Sequence, residues 1–175
     1  MTRRKTQIRR GCPERVGGMQ NAKDRREALE TIVRSFARPE WIERHVLQAV
    51  WQGSFVRPEH TRVAVADGRV VSALVMSPRL IRFGPAVVPA MSIGTVSTHD
   101  QHRNRGYGSA VMNDASEWMK DNGVFVAYLG GISNFYHRFG YYPFMAQTRA
   151  KFAREDARKP ASRATLRAMR RNDIP

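Results

Sequence analysis

The sequence is short of cysteine and of long apolar runs, and each shortage excludes a class of protein. Cys12 is the single cysteine in 175 residues, so the chain holds no disulfide framework and no Cys/His cluster with zinc spacing. No segment approaches the ~20 apolar residues that span a bilayer. The first 14 residues are charged and lack the apolar core of a signal peptide. We therefore expect a cytoplasmic protein with no membrane partner.

Acidic residues are also scarce, with 15 against 30 basic ones and a net charge of +15. Such an excess is typical of proteins that bind nucleic acid or membranes. Most of it lies at the ends, because residues 1–10 hold five basic and no acidic residues, and residues 149–175 hold nine basic and three acidic ones. The stretch between is nearly balanced and contains no recognised nucleic-acid motif. Solvated ends are therefore favoured over a nucleic-acid partner.

What the sequence does contain is the pattern of one α/β domain. Residues 24–37 carry a helical apolar stripe, and residues 39–51 predict a second helix whose first turn accommodates Pro39. Runs of β-branched residues flank Asp67-Gly68, which predicts a β-hairpin. The segment up to Gly84-Pro85 and beyond predicts a continued meander. The stripe of the first helix is Leu29, Ile32, Val33 and Phe36, and that of the second is Trp41, Ile42, Val46, Leu47 and Val50.

The second half of the chain alternates between strands and helices. A strand at 90–98, a helix at 107–121 and an apolar strand at 124–129 predict two parallel neighbours joined by a right-handed crossover, with the second strand buried on both faces. A short helix ending at Gly140 and a strand at 148–152 follow. The fold class predicted is α/β: a mixed, mostly antiparallel sheet with helices on both faces.

The stretch HRNRGYGSAVM, from His102 to Met112, joins the strand at 90–98 to the helix at 107–121. Glycines before a helix N-terminus let an anion approach the unpaired backbone N–H groups there. The stretch lacks the lysine and serine or threonine of a P-loop and the third glycine of a dinucleotide fingerprint. Arg-x-x-Gly-x-Gly remains, at Arg103, Gly106 and Gly108. Taken alone, this pattern fits a phosphate cradle or a glycine-capped turn.

The wider stretch GTVSTHDQHRNRGYGSAVM resembles the acyl-CoA-binding motif of the GNAT superfamily of N-acetyltransferases. Downstream, FYHRFGYYPF resembles the Tyr-x-x-x-Gly-Phe/Tyr signature of the same superfamily. The resemblance covers about residues 24–152 and looks closest to the Eis-like branch, whose members acetylate amines. It implies a sheet that splays between the cofactor-binding strand and the next one.

The resemblance also implies roles for individual residues. Backbone groups of Val96 and Thr98 would pair with the pantetheine of acetyl-CoA, the co-substrate. Backbone N–H groups from Arg103 to Gly108 would hold the pyrophosphate, and Ser109 would add a hydroxyl contact. The cofactor-binding set is Val96, Thr98, Arg103, Asn104, Arg105, Gly106, Tyr107, Gly108 and Ser109.

Tyr136 is the predicted catalytic acid, because a phenol with a pKa of ~10 stays protonated at neutral pH and can donate to a leaving thiolate. From the aromatic run alone, Tyr136 is also compatible with core packing. Many relatives have an asparagine seven residues earlier, where this chain has Leu129, and Asn134 is the nearby alternative. Asp100 stands where close relatives often have proline. Cys12 lies outside both motifs, so an acyl-cysteine route is not expected.

The base and the acceptor site are less defined. Candidates for the base are Glu40, Glu43, His60, His99 and His102, each of which is also explained as a surface residue. Trp41, Trp51 and Phe55 are candidates for an acceptor pocket or for the core. The acceptor itself is predicted to be an amine on a small molecule or a peptide. A homo-oligomer is compatible with the sequence.

One acetyltransferase domain is predicted at 1–152, followed by a basic tail at 153–175. The ending ATLRAMRRNDIP resembles the start of a further GNAT domain, and it also fits a basic amphipathic helix. Three functions are thus compared: an acetyl-CoA-dependent N-acetyltransferase, a non-catalytic CoA-binding or scaffold module of the same fold, and a nucleic-acid binder. The first is favoured and the last is ranked lowest.

Overall fold

The computed structural model describes residues 12–36, 39–53, 55–132 and 134–144. The chain divides into two compact units, Met1–Tyr142 and Pro143–Pro175, and the elements below belong to the first. The predicted strand at 148–152, the predicted domain boundary after 152 and the basic ends lie outside the described residues, so these stay predictions.

Five strands form one mixed sheet in the order β1-β2-β3-β4-β5. The first four strands pair antiparallel, and β5 runs parallel to β4, as predicted for a strand–helix–strand unit. β1 was not predicted, because its four residues, RVGG, are too few and too glycine-rich to show a strand pattern. The strands are β1 (Arg15–Gly18), β2 (Thr61–Ala66), β3 (Arg69–Phe83), β4 (Ala86–Thr98) and β5 (Val126–Leu129).

Helices cover both faces of the sheet, which confirms the predicted layers. The helical elements are α1 (Ala22–Arg34), α2 (Pro39–Arg44), a π-helical segment (His45–Trp51) and α3 (Tyr107–Asp121), with short 3-10 turns at Pro58–His60, Asp100–His102 and Tyr136–Phe139. α3 packs on one face against Leu74, Met76 and Ile93. α1, α2 and the π-helical segment pack on the other, against Val63, Val70 and Val75.

The predicted apolar stripes of the first two helices are confirmed at their central residues and wrong at Phe36 and Trp41. Ile32, Ile42 and Val46 are buried as predicted. Trp41 is 59% exposed and stacks on His45, with the ring centroids 5.1 Å apart, so it is not a core residue. Phe36 is also exposed, because α1 ends at Arg34 and the chain has left the helical spacing by residue 36.

The hairpin turn at Asp67-Gly68 is confirmed, and both residues have positive φ, at 52° and 67°. This is the backbone that a two-residue hairpin turn requires. β3 and β4 pair from Phe83↔Ala86 back to Ser72↔Thr98, so the predicted meander is one long ribbon.

The prediction that β5 is buried on both faces is wrong. Tyr128 is exposed, as is Phe125 just before the strand, at 76%. The physical reason is that β5 has a strand partner on one side only within the part of the chain that the structure describes, so its apolar sequence does not measure its burial.

Candidate active site

The C-terminal half of β4 separates from β5. Their pairing ends at Ile93↔Leu129, whereas β4 continues to Thr98 along β3. Val75 pairs with Gly94 and Ala73 with Ser97, so β4 carries one extra residue in a β-bulge. Residues 94–98 therefore have no strand partner on the β5 side among the described residues, and the splayed sheet that the resemblance implied is present.

Thr95 sits in this bulge with an unusual backbone. Its φ is +50°, a region that a β-branched residue rarely adopts. Its buried hydroxyl oxygen has no hydrogen-bond partner within the described ranges. Such a backbone persists only where the surrounding structure holds it, and it is typical of functional sites.

A network of hydroxyl groups holds the end of β4. The Ser72 hydroxyl, fully buried on β3, donates to the carbonyl oxygen of Ser97 at 2.7 Å. It also lies 3.0 Å from the Thr98 hydroxyl oxygen. A serine hydroxyl has a single hydrogen, so Thr98 is the donor in this second bond and Ser72 accepts. The Ser97 hydroxyl donates to the carbonyl of Ala73 at 3.2 Å.

The turn after β4 leads directly to the N-terminus of α3. Asn104 and Gly106 have positive φ, at 61° and 94°. Arg103 forms an ion pair with Asp100 at 2.7 Å, which holds its guanidinium beside the turn. The same side chain donates from Nε to the carbonyl of Thr98 at 3.4 Å.

The N-terminus of α3 is uncapped. Gly106 occupies the cap position, and no side chain of the described residues caps the first turn. The first intrahelical bond runs from the N–H of Ala110 to the carbonyl of Gly106, at 2.9 Å. The N–H groups of Tyr107, Gly108 and Ser109 are therefore left without intrahelical acceptors. A Cβ on Gly108 would lie 3.2 Å from the Thr98 hydroxyl oxygen, so glycine lets the first turn of α3 lie close to the end of β4.

These parts meet in one cleft of about 830 Å³. It contains all ten of the predicted site residues, the nine cofactor-binding ones and Tyr136. Among the described residues, three arginines and no acidic side chain line it, so the cleft is electrostatically suited to an anion. The remaining lining residues are Ser35, Ser97, Ala110, Asn113, Ile132, Phe135 and Arg138.

Tyr136 begins the 3-10 turn that follows β5. Burial raises the pKa of its phenol above the ordinary value, which keeps the proton on the oxygen. Its ring packs directly on Gly131, where a Cβ would overlap it, and lies edge-on to Phe135 at 4.9 Å. Gly140 ends the turn with a φ of 84°. The spacing of Tyr136 to this glycine is thus a structural requirement of the turn.

The candidate bases lie outside the cleft. His60 is buried, and its Nδ1 accepts the backbone N–H of Arg57 at 3.0 Å. Burial lowers its pKa, so the ring is neutral, and its Nδ1 is already engaged in the hydrogen bond with Arg57. Glu40 and Glu43 are exposed on α2.

His99 and His102 lie between β4 and α3, with their rings 5.8 Å apart. Burial, followed by Arg105, lowers the pKa of His102. His102 is edge-on to Tyr107, behind the helix N-terminus rather than in the cleft.

The aromatic residues considered for an acceptor pocket also lie elsewhere. Trp51 donates from its ring nitrogen to the Thr61 hydroxyl at 3.0 Å, and Phe55 is exposed. Leu129 packs against the α3 side of the core, and Asn134 does not line the cleft.

Sequence reasoning missed Arg138 and Gly131. Arg138 lies two residues after Tyr136, and its guanidinium carbon is 4.2 Å from the ring centroid of Phe135. Its position between two phenylalanines in FYHRF was the available signal, because an arginine there can stack on either ring. Gly131 carried no such signal, since its role depends on where the Tyr136 ring lies. No group of three or more metal-ligating side chains comes together in the described residues.

A model of the acetyltransferase (GNAT) domain matches residues 19–144. This range contains every element that builds the cleft. The chain belongs to the GNAT acetyltransferase family, as its two motifs predicted.

Solved structures share this fold at low sequence identity. They include a probable N-acyltransferase from Enterococcus faecalis, with 20% identity and a TM-score of 0.59. The match covers 73% of this chain and 31% of the Enterococcus chain. Eis1 from Mycobacterium abscessus is 16% identical with a TM-score of 0.58 and the same two coverages. Glucosamine-6-phosphate N-acetyltransferase from Arabidopsis thaliana is 14% identical with a TM-score of 0.57, and covers 79% of this chain and 98% of its own.

The chain therefore spans about a third of the length of the first two of these structures. A comparison with curated protein sequences found no match. Within the described residues, no helix is long and apolar enough to cross a membrane.

Proposed function

We propose that this protein is an acetyl-CoA-dependent N-acetyltransferase that transfers an acetyl group directly to a primary amine. The observation that carries the proposal is the cleft, which brings the uncapped N-terminus of α3, the splayed end of β4 and Tyr136 together. The amine belongs to a small molecule or a peptide. Cytoplasmic location and homo-oligomer formation stay predictions.

The residues present fit acetyl-CoA. Its pyrophosphate would accept from the free N–H groups of Tyr107, Gly108 and Ser109, with Arg103 and Arg105 adding positive charge. Its pantetheine would lie along Val96 and Thr98, whose backbone has no β5 partner.

Bound acetyl-CoA would supply the acetyl group as a thioester, with a thiolate as leaving group. Tyr136 holds a proton at Oη throughout the neutral range, since burial raises its pKa above the ordinary value. It is therefore suited to donate that proton to the developing negative charge. The cleft would also accelerate the reaction by holding the thioester and the amine in a reactive geometry.

No carboxylate and no histidine lines the cleft in the described part of the chain. A protonated amine must still lose a proton before it attacks. We propose that water takes this proton, because the cleft is open to solvent and offers no side chain of suitable basicity. The expected consequence is a rate that rises with pH as the free amine accumulates.

The proposal is tested by calorimetry with acetyl-CoA, followed by turnover with a panel of amines. We expect heat of binding, and a fall in kcat of roughly 10²- to 10⁴-fold in Tyr136→Phe with little change in the affinity for acetyl-CoA. Tyr142→Phe, an exposed tyrosine of the same unit, is the matched control. Full turnover by Tyr136→Phe at every pH would show that the acid is another group.

A second candidate function is a CoA-binding module without transfer, favoured by the absence of a base from the described lining of the cleft. It predicts calorimetric binding of acetyl-CoA and no turnover with any amine of the panel. Measurable turnover with one amine would exclude the binding module and support the acetyltransferase.

A further inference from the structure

We propose that Arg138 binds a phosphate group of the acyl-CoA. Arg138 lies outside the Arg-x-x-Gly-x-Gly motif, on a later turn of the chain that lines the same cleft. This inference rests on the proposed function and adds a binding residue that neither motif identified. Arg138 lines the cleft with Tyr136 and the N-terminal turn of α3.

The position of the Arg138 guanidinium is set by aromatic stacking. Its central carbon lies 4.2 Å from the ring centroid of Phe135 and 5.0 Å from that of Phe139. Both distances are within the range of an attractive cation–π contact. An arginine that contacts aromatic rings in this way can still donate its N–H groups to an acceptor. A pre-positioned fork of this kind suits phosphate.

Arg138, unlike Arg103 of the same cleft, has no acidic partner among the described residues. Arg62 pairs with Asp114, and Arg103 pairs with Asp100 at 2.7 Å. Arg138 forms no ion pair there, although it is held in place by two rings. An exposed arginine that contacts two aromatic rings, and lines a cleft whose described lining has no acidic side chain, has the properties of an anion-binding group.

The ligand must carry more than one anionic group to use both parts of the cleft. The N-terminus of α3 accounts for one, with Arg103 and Arg105 beside it. Arg138 lies on a separate element, the 3-10 turn that follows β5. Acetyl-CoA offers a pyrophosphate and a 3′-phosphate, so the chemistry that Arg138 recognises is phosphate, and ligand truncation distinguishes the two sources.

The test combines variants with shortened ligands. Arg138→Gln, Arg138→Lys and the control Arg82→Gln, an exposed arginine outside the cleft, are titrated with acetyl-CoA, acetyl-3′-dephospho-CoA and acetylpantetheine. We expect Arg138→Gln to bind acetyl-CoA roughly tenfold or more weakly than wild type, with partial recovery in Arg138→Lys and no effect of Arg82→Gln. Unchanged thermal unfolding shows that the variants remain folded.

The ligand series decides which phosphate is bound. If the difference between wild type and Arg138→Gln disappears with the 3′-dephospho ligand, Arg138 binds the 3′-phosphate. If it persists there and disappears with acetylpantetheine, Arg138 binds the pyrophosphate. An equal loss with all three ligands, or no loss with acetyl-CoA, overturns the inference. Wild-type protein that fails to bind acetyl-CoA overturns the proposed function itself, which is a separate result.

Discussion

The N-termini of α1 and α3 are built in opposite ways. α1 closes its own end: the Asn21 side chain accepts the N–H of Asp24 at 2.9 Å. The Asp24 carboxylate, in the first turn, accepts from Arg15 at 2.6 Å and from the backbone N–H of Gln20 at 2.9 Å. The protein therefore supplies an acceptor for the N–H of Asp24 and a negative charge beside the partial positive charge of that helix end.

α3 leaves the same groups open. Its cap is a glycine, its first turn contains no acidic residue, and arginines precede it. Asp24 and Ser109 occupy equivalent places, each the third residue of its helix. Every helix N-terminus attracts an anion. The comparison teaches that local sequence decides whether the protein supplies that anion or a ligand does.

The strongest test of the comparison places an aspartate at the third position of α3, where α1 has Asp24. In Ser109→Asp we expect acetyl-CoA to bind about 100-fold more weakly, which corresponds to ~2.7 kcal/mol, because the carboxylate takes the N–H groups and repels phosphate. The helix itself should be slightly stabilised. Calorimetry measures the affinity, and Gln48→Glu, an exposed position outside the cleft, controls for the added charge. Equal affinities would show that the helix end does not hold the ligand.

The reverse change removes the acid of α1. Asp24→Ala removes the acceptor of two donors, the Arg15 guanidinium and the backbone N–H of Gln20, so we expect a loss of about 2 kcal/mol in the free energy of unfolding. Urea unfolding measures it. The affinity for acetyl-CoA should not change. Glu117→Ala, which removes an exposed acid of α3, should have almost no effect.

A third change separates binding from stability within α3. Gly108→Ala places a Cβ 3.2 Å from the Thr98 hydroxyl oxygen, and we expect a roughly tenfold, or ~1.4 kcal/mol, weaker affinity for acetyl-CoA. Alanine favours a helix over glycine, so the free energy of unfolding should not fall. Gly17→Ala in β1 has room for a Cβ and serves as the control. A parallel loss of stability would mean that the packing of α3 against Thr98, rather than ligand binding, requires glycine.

The smallest expected effect concerns the cap of α1. Asn21→Ala removes the side-chain acceptor for the N–H of Asp24, and we expect a loss of about 1 kcal/mol in urea unfolding. Gly106, at the equivalent position of α3, has no side chain to lose. A loss close to zero would show that Asp24 alone closes the end of α1.

The sequence predicted the parts of the fold that depend on local chemistry. The turn at Asp67-Gly68 and the bounds of α3 follow from residue type and spacing, since positive φ and helix caps are short-range requirements. The nine cofactor-binding residues lie in one cleft for the same reason, because eight of them fall between Thr98 and Ser109 along a single strand–turn–helix junction. Their roles stay predictions.

The sequence could not predict features that depend on distant partners. The exposure of Trp41 and of β5 depends on what packs beside them, and an apolar sequence does not report it. The same holds for Gly131, which is needed because the Tyr136 ring lies against it, and for the stacking of Arg138. These contacts follow from tertiary packing rather than from spacing.

The most direct test of the account is a crystal structure of the protein with acetyl-CoA. We expect the pyrophosphate oxygens to lie within 2.7–3.2 Å of the backbone nitrogens of Tyr107, Gly108 or Ser109. Arg138 should then lie beside a phosphate and Tyr136 beside the sulfur. A pyrophosphate bound away from the first turn of α3 would contradict the claim that this helix was left open for the ligand.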